Sequence, residues 1–380
     1  MSRKIGAPWG PRGGAAPGGP PAPLQVWGSP FGFSGLRGPG EFSATYSVTD
    51  FDIREDYMKP NRLVLLLALL CLVTLQVFAA QEGTFDRTLK VSGPIDLDVT
   101  TGSGSITVNR GSESQVVVHA TIRASDNGWL SGDPSARIKA IQDNPPVEQN
   151  GNVIRIGHFY DSERQRNISI SYDIQVPADV RLHSRTGSGH IKIARVNGPV
   201  DASTGSGGID IDEVASDARL QTGSGSIVIN NVAGTVRAHT GSGSIGGDRI
   251  GGKTASAPAG ASSFANSGRS YLDFETGSGN IRLQNIAGEL KAHTGSGSIE
   301  AQGQQTGDWD LNTGSGGIRV RLPESSKFNL MARTSSGSVS TDFPLTIQGT
   351  VNRHELSGSV NGGGPRLELH TGSGSIHVEK

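Results

Sequence analysis

The chain has 380 residues, with 34 Lys+Arg against 35 Asp+Glu, a net charge of −1, 55 glycines, 5% aromatic residues and a single cysteine. Balanced charge without a basic run offers no electrostatic footprint for nucleic acid or an anionic membrane, and so few aromatics suit thin stacked layers better than one thick core. The cysteine, Cys71, lies in a segment expected to be removed, which excludes disulfides, cysteine nucleophiles and thiolate metal sites from the mature chain.

Residues 1–57 read as a Gly/Pro-rich leader without the periodicity that builds a core. The character changes at Met58. Met58-Lys59-Pro60-Asn61-Arg62 is a short basic start, Leu63 to Leu75 an apolar run, and Val77-Phe78-Ala79-Ala80 a small-residue cleavage site, so residues 58–80 have the three parts of a secretory signal peptide. Met58 is therefore expected to be the true start, with 1–57 a mis-called one. The competing reading keeps the leader and makes Leu63–Ala80 an uncleaved membrane anchor, at the short end for spanning a bilayer. Export would deliver the mature chain to the periplasm, the cell surface or the medium.

Residues 81–110 read as a first coil, with Leu89, Val91, Ile95, Leu97 and Val99 leading into Thr101–Val108. An excursion over 111–180 follows. It holds a strand Val116–Arg123 and a helix capped by Asp133 with Pro134 at its first position. Ile138 and Ile141 form the apolar side of the helix, and strands Val153–Ile156 and Ile168–Val176 come after it. Such a segment suits a cap over the open end of a stack, where sheet edges need cover.

From residue 181 to 380 the chain is built on one phrase, Thr-Gly-Ser-Gly, which also occurs at Thr101. It opens at Thr186, Thr204, Thr222 and Thr240 in steps of 18, then at Thr276, Thr294, Thr313 and Thr371, with a variant at Thr334 and a weaker one at Glu355. Five residues on stand Ile106, Ile191, Ile209, Ile227, Ile245, Ile281, Ile299, Ile318, Val339, Val360 and Ile376. Ten residues on come Val196, Val214, Val232, Ile250 and Ile286. Apolar residues spaced by two signal strands, and a fixed period signals stacked units. The expected fold is all-β, a single-chain parallel β-solenoid of about 18-residue coils, each with two short strands and turns at Gly198, Gly234 and Gly288.

In this reading the eight repeat isoleucines from Ile191 to Ile376 form an interior column, and the turn pairs Thr186-Gly187, Thr204-Gly205, Thr222-Gly223 and Thr294-Gly295 form the corner. Thr and the Ser after its Gly are expected to point inward or to the corner, with hydroxyls bonding one another or the backbone. Gly is expected where a Cβ would clash with the next coil. The 36-residue step from Thr240 to Thr276 reads as two steps with the middle copy lost, and 248–270 as a loop replacing part of a coil. The last coil, ending at Ile376–Lys380, has no evident cap, which makes it an edge for self-association, mildly opposed by Glu379-Lys380.

Several motifs carry less than they promise. Gly247–Thr254 matches the phosphate-loop pattern, but Ala-Ser-Ala-Pro258 follows where a helix is required. His239, His293 and His370 precede the repeat Thr in one outward column, with Glu275 between the first two, and read as solvent-facing. Asp210, Asp212 and Glu213 are scattered surface carboxylates rather than an acid pair or a calcium ladder. No catalytic, cofactor or metal residue is assigned.

Val176-Pro177-Ala178-Asp179-Val180, followed by Thr186-Gly-Ser-Gly-His-Ile and successive Ser-Gly-x-Ile coils, resembles the bacterial putative-adhesin family of exported domains of unknown function. The resemblance covers nearly all of 85–380 and implies a β-solenoid at the cell envelope without established catalytic residues. The function expected is adhesion or structural interaction with an envelope or cell-surface protein or glycan, without an enzyme activity. A carbohydrate-active β-helix and an ice-binding Thr array are the alternatives. The latter needs outward Thr side chains, which the alternation opposes.

Overall fold

The computed structural model describes residues 82–124, 134–158, 167–252, 270–347 and 352–380, all within one compact unit. The leader 1–57, the signal segment 58–80 with Cys71, the Asp133 cap, and Lys253 and Thr254 lie outside the described residues.

Two columns of short parallel strands run the length of the stack, and their registers can be read along the repeat letters. In one column the phrase-opening threonines lie side by side, Thr101, Thr186, Thr204, Thr222, Thr240, Thr276, Thr294, Thr313, Thr371 and Thr334 in spatial order. In the other the order is Ile106, Ile191, Ile209, Ile227, Ile245, Ile281, Ile299, Ile318, Ile376 and Val339. All of these isoleucines are at most 1% exposed, and Val339, on the outermost rung, is half-buried. Strands of five or six residues alternate buried and outward positions, so each coil has an apolar side that only its neighbours cover. The expected parallel β-solenoid is the fold found.

The bend closing each coil is made differently from expectation. Arg195, Glu213, Asn231, Arg249 and Asn285 occupy the left-handed region, with φ between 51° and 61°, at one position of successive coils. Each sits one residue before the inward Val196, Val214, Val232, Ile250 or Ile286, and re-aims that side chain into the core. Polar residues tolerate this conformation when their side chains find local partners. Asn231 Nδ2 donates to Asp212 Oδ1 at 2.8 Å, and Asn285 Nδ2 to Asp248 Oδ1 at 2.8 Å. Of the glycines expected to turn the chain, Gly288 has a positive φ of 132°, but Gly198 and Gly234 do not. A Cβ on those two would collide with backbone of the adjacent coil at Val180 and Ser216.

The long step from Thr240 to Thr276 is one coil, not two. The strand Val236–Thr240 pairs directly with Tyr271–Thr276, and Ile227–Val232, Ile245–Ile250 and Ile281–Ser296 are successive neighbours. No rung is missing between these neighbours, and residues 248–250, expected in the loop, stay in strand.

At the N-terminal end the excursion adds a rung and then closes the edges. Val153–Ile156 lies parallel against Ile95–Thr101, and Ile168–Val176 parallel against Ile106–Arg110. Antiparallel strands follow, Val147–Asn150 on one column and Gln115–Ala124 then Glu82–Lys90 on the other. Glu82–Lys90 is thus the outermost strand of the cap, and the first coil starts at Ile95. The helix Pro134–Asp143 packs across Glu82–Lys90 and Gln115–Ala124, burying Ile138 and Ile141. Tyr172 is 2% exposed beneath this cap, and burial pushes its phenol well above the usual value.

At the other end the chain order of the rungs is broken. The final strands Arg366–Ser373 and Ile376–Glu379 are inserted between the 309–321 rung and the 328–341 rung. The last coil is therefore an interior rung, not the open edge expected of it. The outermost rung, Phe328–Ser336, is covered by the antiparallel strand Glu355–Val360, and Phe328 and Phe343 meet edge-to-face at 5.3 Å. Val360 pairs opposite Phe328 in this cap, so the weak copy at Glu355 is not a coil. Among the described residues no helix is long and apolar enough to cross a membrane.

Candidate functional site

The site that the repeats build is the corner formed by Thr-Gly-Ser-Gly. Each Thr side chain points inward: Thr186, Thr204, Thr222 and Thr294 are 0–6% exposed. Their hydroxyls donate to the second-glycine carbonyl of the coil before, as Thr204 to Gly189 at 3.0 Å, Thr222 to Gly207 at 2.7 Å, Thr240 to Gly225 at 2.8 Å and Thr294 to Gly279 at 2.9 Å. On the same atom Thr186, Thr204, Thr222 and Thr240 accept from their own coil, from the N–H of Gly189, Gly207, Gly225 and Gly243 respectively, each at 3.1 Å. One buried hydroxyl thus fixes both the corner and its spacing to the next.

The first glycines Gly187, Gly205, Gly223 and Gly295 stack on the same ladder. The N–H of Gly205 reaches the Thr186 carbonyl at 3.2 Å and that of Gly223 the Thr204 carbonyl at 3.2 Å. A Cβ on the second glycine of a copy would fall on the carbonyl of the glycine one coil earlier. Close backbone approach, not positive φ, is what these positions require in the regular part of the stack.

The serine between the two glycines goes the other way. Ser188, Ser206, Ser224, Ser242, Ser278, Ser296, Ser315 and Ser373 are all exposed at the corner, so of the two directions expected for Ser, inward or to the corner, it takes the second while Thr takes the first. The strand alternation stops at the buried Thr, and the corner turns the next side chain out. Ser226, Ser244 and Ser375, two residues further on, are exposed as well. The result is a ridge of hydroxyls and glycine backbone, repeating at the rung spacing of about 4.8 Å. The interior column of Ile191, Ile209, Ile227, Ile245, Ile281, Ile299, Ile318 and Ile376 lies directly behind it.

The flanking faces are polar. Arg282 pairs with Glu300 at 2.8 Å, Arg319 with Glu379 at 3.1 Å and Arg321 with Glu379 at 2.6 Å. Hydrogen bonding from Arg321 holds the Glu379 carboxyl below the usual carboxylate range. Arg282 and Glu300 are both exposed and their pair is screened, so Arg282→Gln is expected to leave the thermal midpoint within the error of a melting experiment. On the opposite face Arg219, Gln221, Arg237, His239, Asp273 and Glu275 line a groove of about 300 Å³. His239 lies 3.4 Å from Glu275, and His293 follows Glu275 on the next rung. The two histidines are thus two rungs apart, with Glu275 on the rung between them. Among the described residues no group of His, Cys, Asp and Glu is placed to hold a metal.

Asp210 and Asp212 serve as partners, to His190 at 3.0 Å and to Asn231, while Glu213 makes the left-handed bend. Gly247 is a strand residue paired with Ile229 and Leu283, which removes the first glycine of the phosphate-loop pattern from any loop. A cleft of about 460 Å³ was not foreseen. It opens because Gly303 takes the place that Ile286 fills one rung earlier, and Arg321, Pro323, Gln302 and Gln304 line it. The signal was legible: ten residues after Thr294 stands Gln304, not an aliphatic residue.

Residues 249–379 match the family model described as Toastrack DUF4097. Solved structures that the chain matches include a putative cell adhesion protein from Clostridium sporogenes (10% identity, 79% of this chain and 99% of that one, TM-score 0.19). Two others are a putative adhesin from Bacteroides fragilis (11%, 78% and 97%, TM-score 0.31) and a putative lipid binding protein from Parabacteroides distasonis (14%, 79% and 98%, TM-score 0.41). Among curated proteins none matches the chain. Residues 249–379, about a third of the chain, are thus similar to the Toastrack DUF4097 family, and the match takes in the later Ser-Gly-x-Ile coils.

Proposed function

We propose that the protein is an exported, non-enzymatic adhesin or interaction protein of the bacterial envelope, binding through the Ser-Gly ridge. The observation that carries this is the exposure of the phrase serine on coil after coil, above a threonine column that is buried throughout. A ligand with its own repeat, such as a surface glycan, would meet many weak hydroxyl and backbone contacts at a fixed spacing, so avidity rather than a deep pocket supplies affinity. Export rests on the basic, apolar and small-residue segments of 58–80. Among the described residues the threonines that open the phrase are buried, which favours this reading over ice binding through an outward Thr array.

The test is a glycan-array and cell-adhesion assay with the exported chain, native and as S206D/S224D/S242D. Those serines are exposed, so the triple variant should fold normally. Because the contacts act together, its surface binding is expected to fall about tenfold or more while each single variant changes little. Undiminished binding by the triple variant would remove the ridge from the account. Release of new reducing ends from a bound glycan would favour the carbohydrate-active reading, with Asp273 and Glu275 in the His239 groove as its carboxylates.

A further inference from the structure

The inserted rung is the feature with most to say beyond adhesion. Residues 366–379 bury Leu367, Leu369, Thr371, Ile376 and Val378, each at most 1% exposed, between two rungs that precede them in the chain. Without this rung, the 309–321 and 328–341 rungs face each other across a space of two strand spacings, about 9.6 Å, with bare sheet edges on both sides. Something with the repeat grammar must fill that slot, because unpaired edges and exposed apolar columns are costly.

The connection into the rung is a hinge. Asn361, Gly362 and Gly363 take φ of 49°, 87° and 82°, and with Gly364 and Pro365 they cross the start of the Phe328–Ser336 strand. The crossing is tight, since a Cβ on Gly364 would fall on the Lys327 carbonyl and one on Gly363 would come within 2.7 Å of Asn329 Oδ1. It joins Glu355–Val360 on the outer side of that strand to Arg366–Ser373 on its inner side. A rung from another copy would make the same contacts as the chain's own: the main-chain pairing with Thr, Ser and Ile at matched registers, the Arg319 and Arg321 pairs to Glu379, and the Arg366 N–H bond to Asp308.

We propose that residues 366–379 are exchangeable, and that two copies of this chain assemble by each placing this rung in the other's slot. The contacts made are the same in both states, so the balance follows concentration and the strain of the Asn361–Pro365 crossing. Exchange of an identical element is a low-cost route to a dimer, and a constrained hinge favours it. The proposal is independent of what the Ser-Gly ridge binds.

The test uses the mature chain, free of Cys71, in two single-cysteine forms, N312C and H370C. Asn312 and His370 are register partners on adjacent strands, a separation a disulfide spans. Mixed and concentrated together under mild oxidation, the two forms should yield a linked heterodimer of twice the mass, increasing with protein concentration. Deleting Gly362 and Gly363, which prevents the crossing within one chain, should raise its share further. The N312C/H370C double variant, which links within the chain when diluted, reports that the rung is seated. If the double variant links only within the chain at every concentration and the mixed single variants give no heterodimer, rung exchange is wrong.

Discussion

Gly225→Val should be among the most destabilising single substitutions in the stack. The Cβ would occupy the position of the Gly207 carbonyl carbon and oxygen one coil below, and both are backbone, so neither can turn aside. Forced overpacking costs about 1–3 kcal/mol. Moving Gly207 also breaks the 2.7 Å bond that its carbonyl accepts from Thr222, adding about 1–3 kcal/mol for a buried group left unpaired. A loss of about 4 kcal/mol is expected, seen as a fall in thermal midpoint of about 10 °C. Gly246→Ala is the control. A Cβ there meets nothing within 4 Å, and φ is not positive, so it should lie within about 0.5 kcal/mol of the native chain. Equal melting of the two variants would show that backbone approach at the corner is not what glycine is for.

Thr222→Val should cost about 3 kcal/mol although the shape is nearly kept. Thr222 is 4% exposed, and its oxygen both donates to Gly207 and accepts from the Gly225 N–H at 3.1 Å. Valine leaves a buried carbonyl and a buried N–H without that partner, and each such loss is worth about 1–3 kcal/mol. Thr222→Ser keeps the hydroxyl and loses one buried methyl, about 1 kcal/mol. Denaturant midpoints should therefore rank native, Ser, Val, with unchanged slopes. A valine variant as stable as the serine one would mean that the column is held by packing rather than by its hydroxyls.

The parts of the fold that could be read in advance are those governed by neighbours in sequence. Ile209, Ile211 and the Thr ending each short strand follow a period of two, and their recurrence at 18 residues places like over like without further information. The outward Ser could not be read the same way. The alternation that carries Thr inward ends at the corner, where main-chain contacts between Gly205, Gly207 and the coil beneath decide the direction. The left-handed bends at Arg195 and Glu213 were hidden for a related reason. Their residue types do not advertise positive φ, and only the need to bring Val196 and Val214 inward imposes it.

Composition and periodicity alone thus specify an all-β stack, the contents of its interior, and the place of glycine and threonine at the corner, because those follow from local alternation and from a repeat that is the same on every coil. Identical repeats also limit what can be inferred, since a rung that fits against one neighbour fits against all. That Thr240 and Thr276 are adjacent, and that Thr371 lies between Thr313 and Thr334, is set by three-dimensional closure. The strands on either side of the long step must stay on adjacent rungs to keep their edges paired, and the last rung must go where two bare edges, rather than one, are covered.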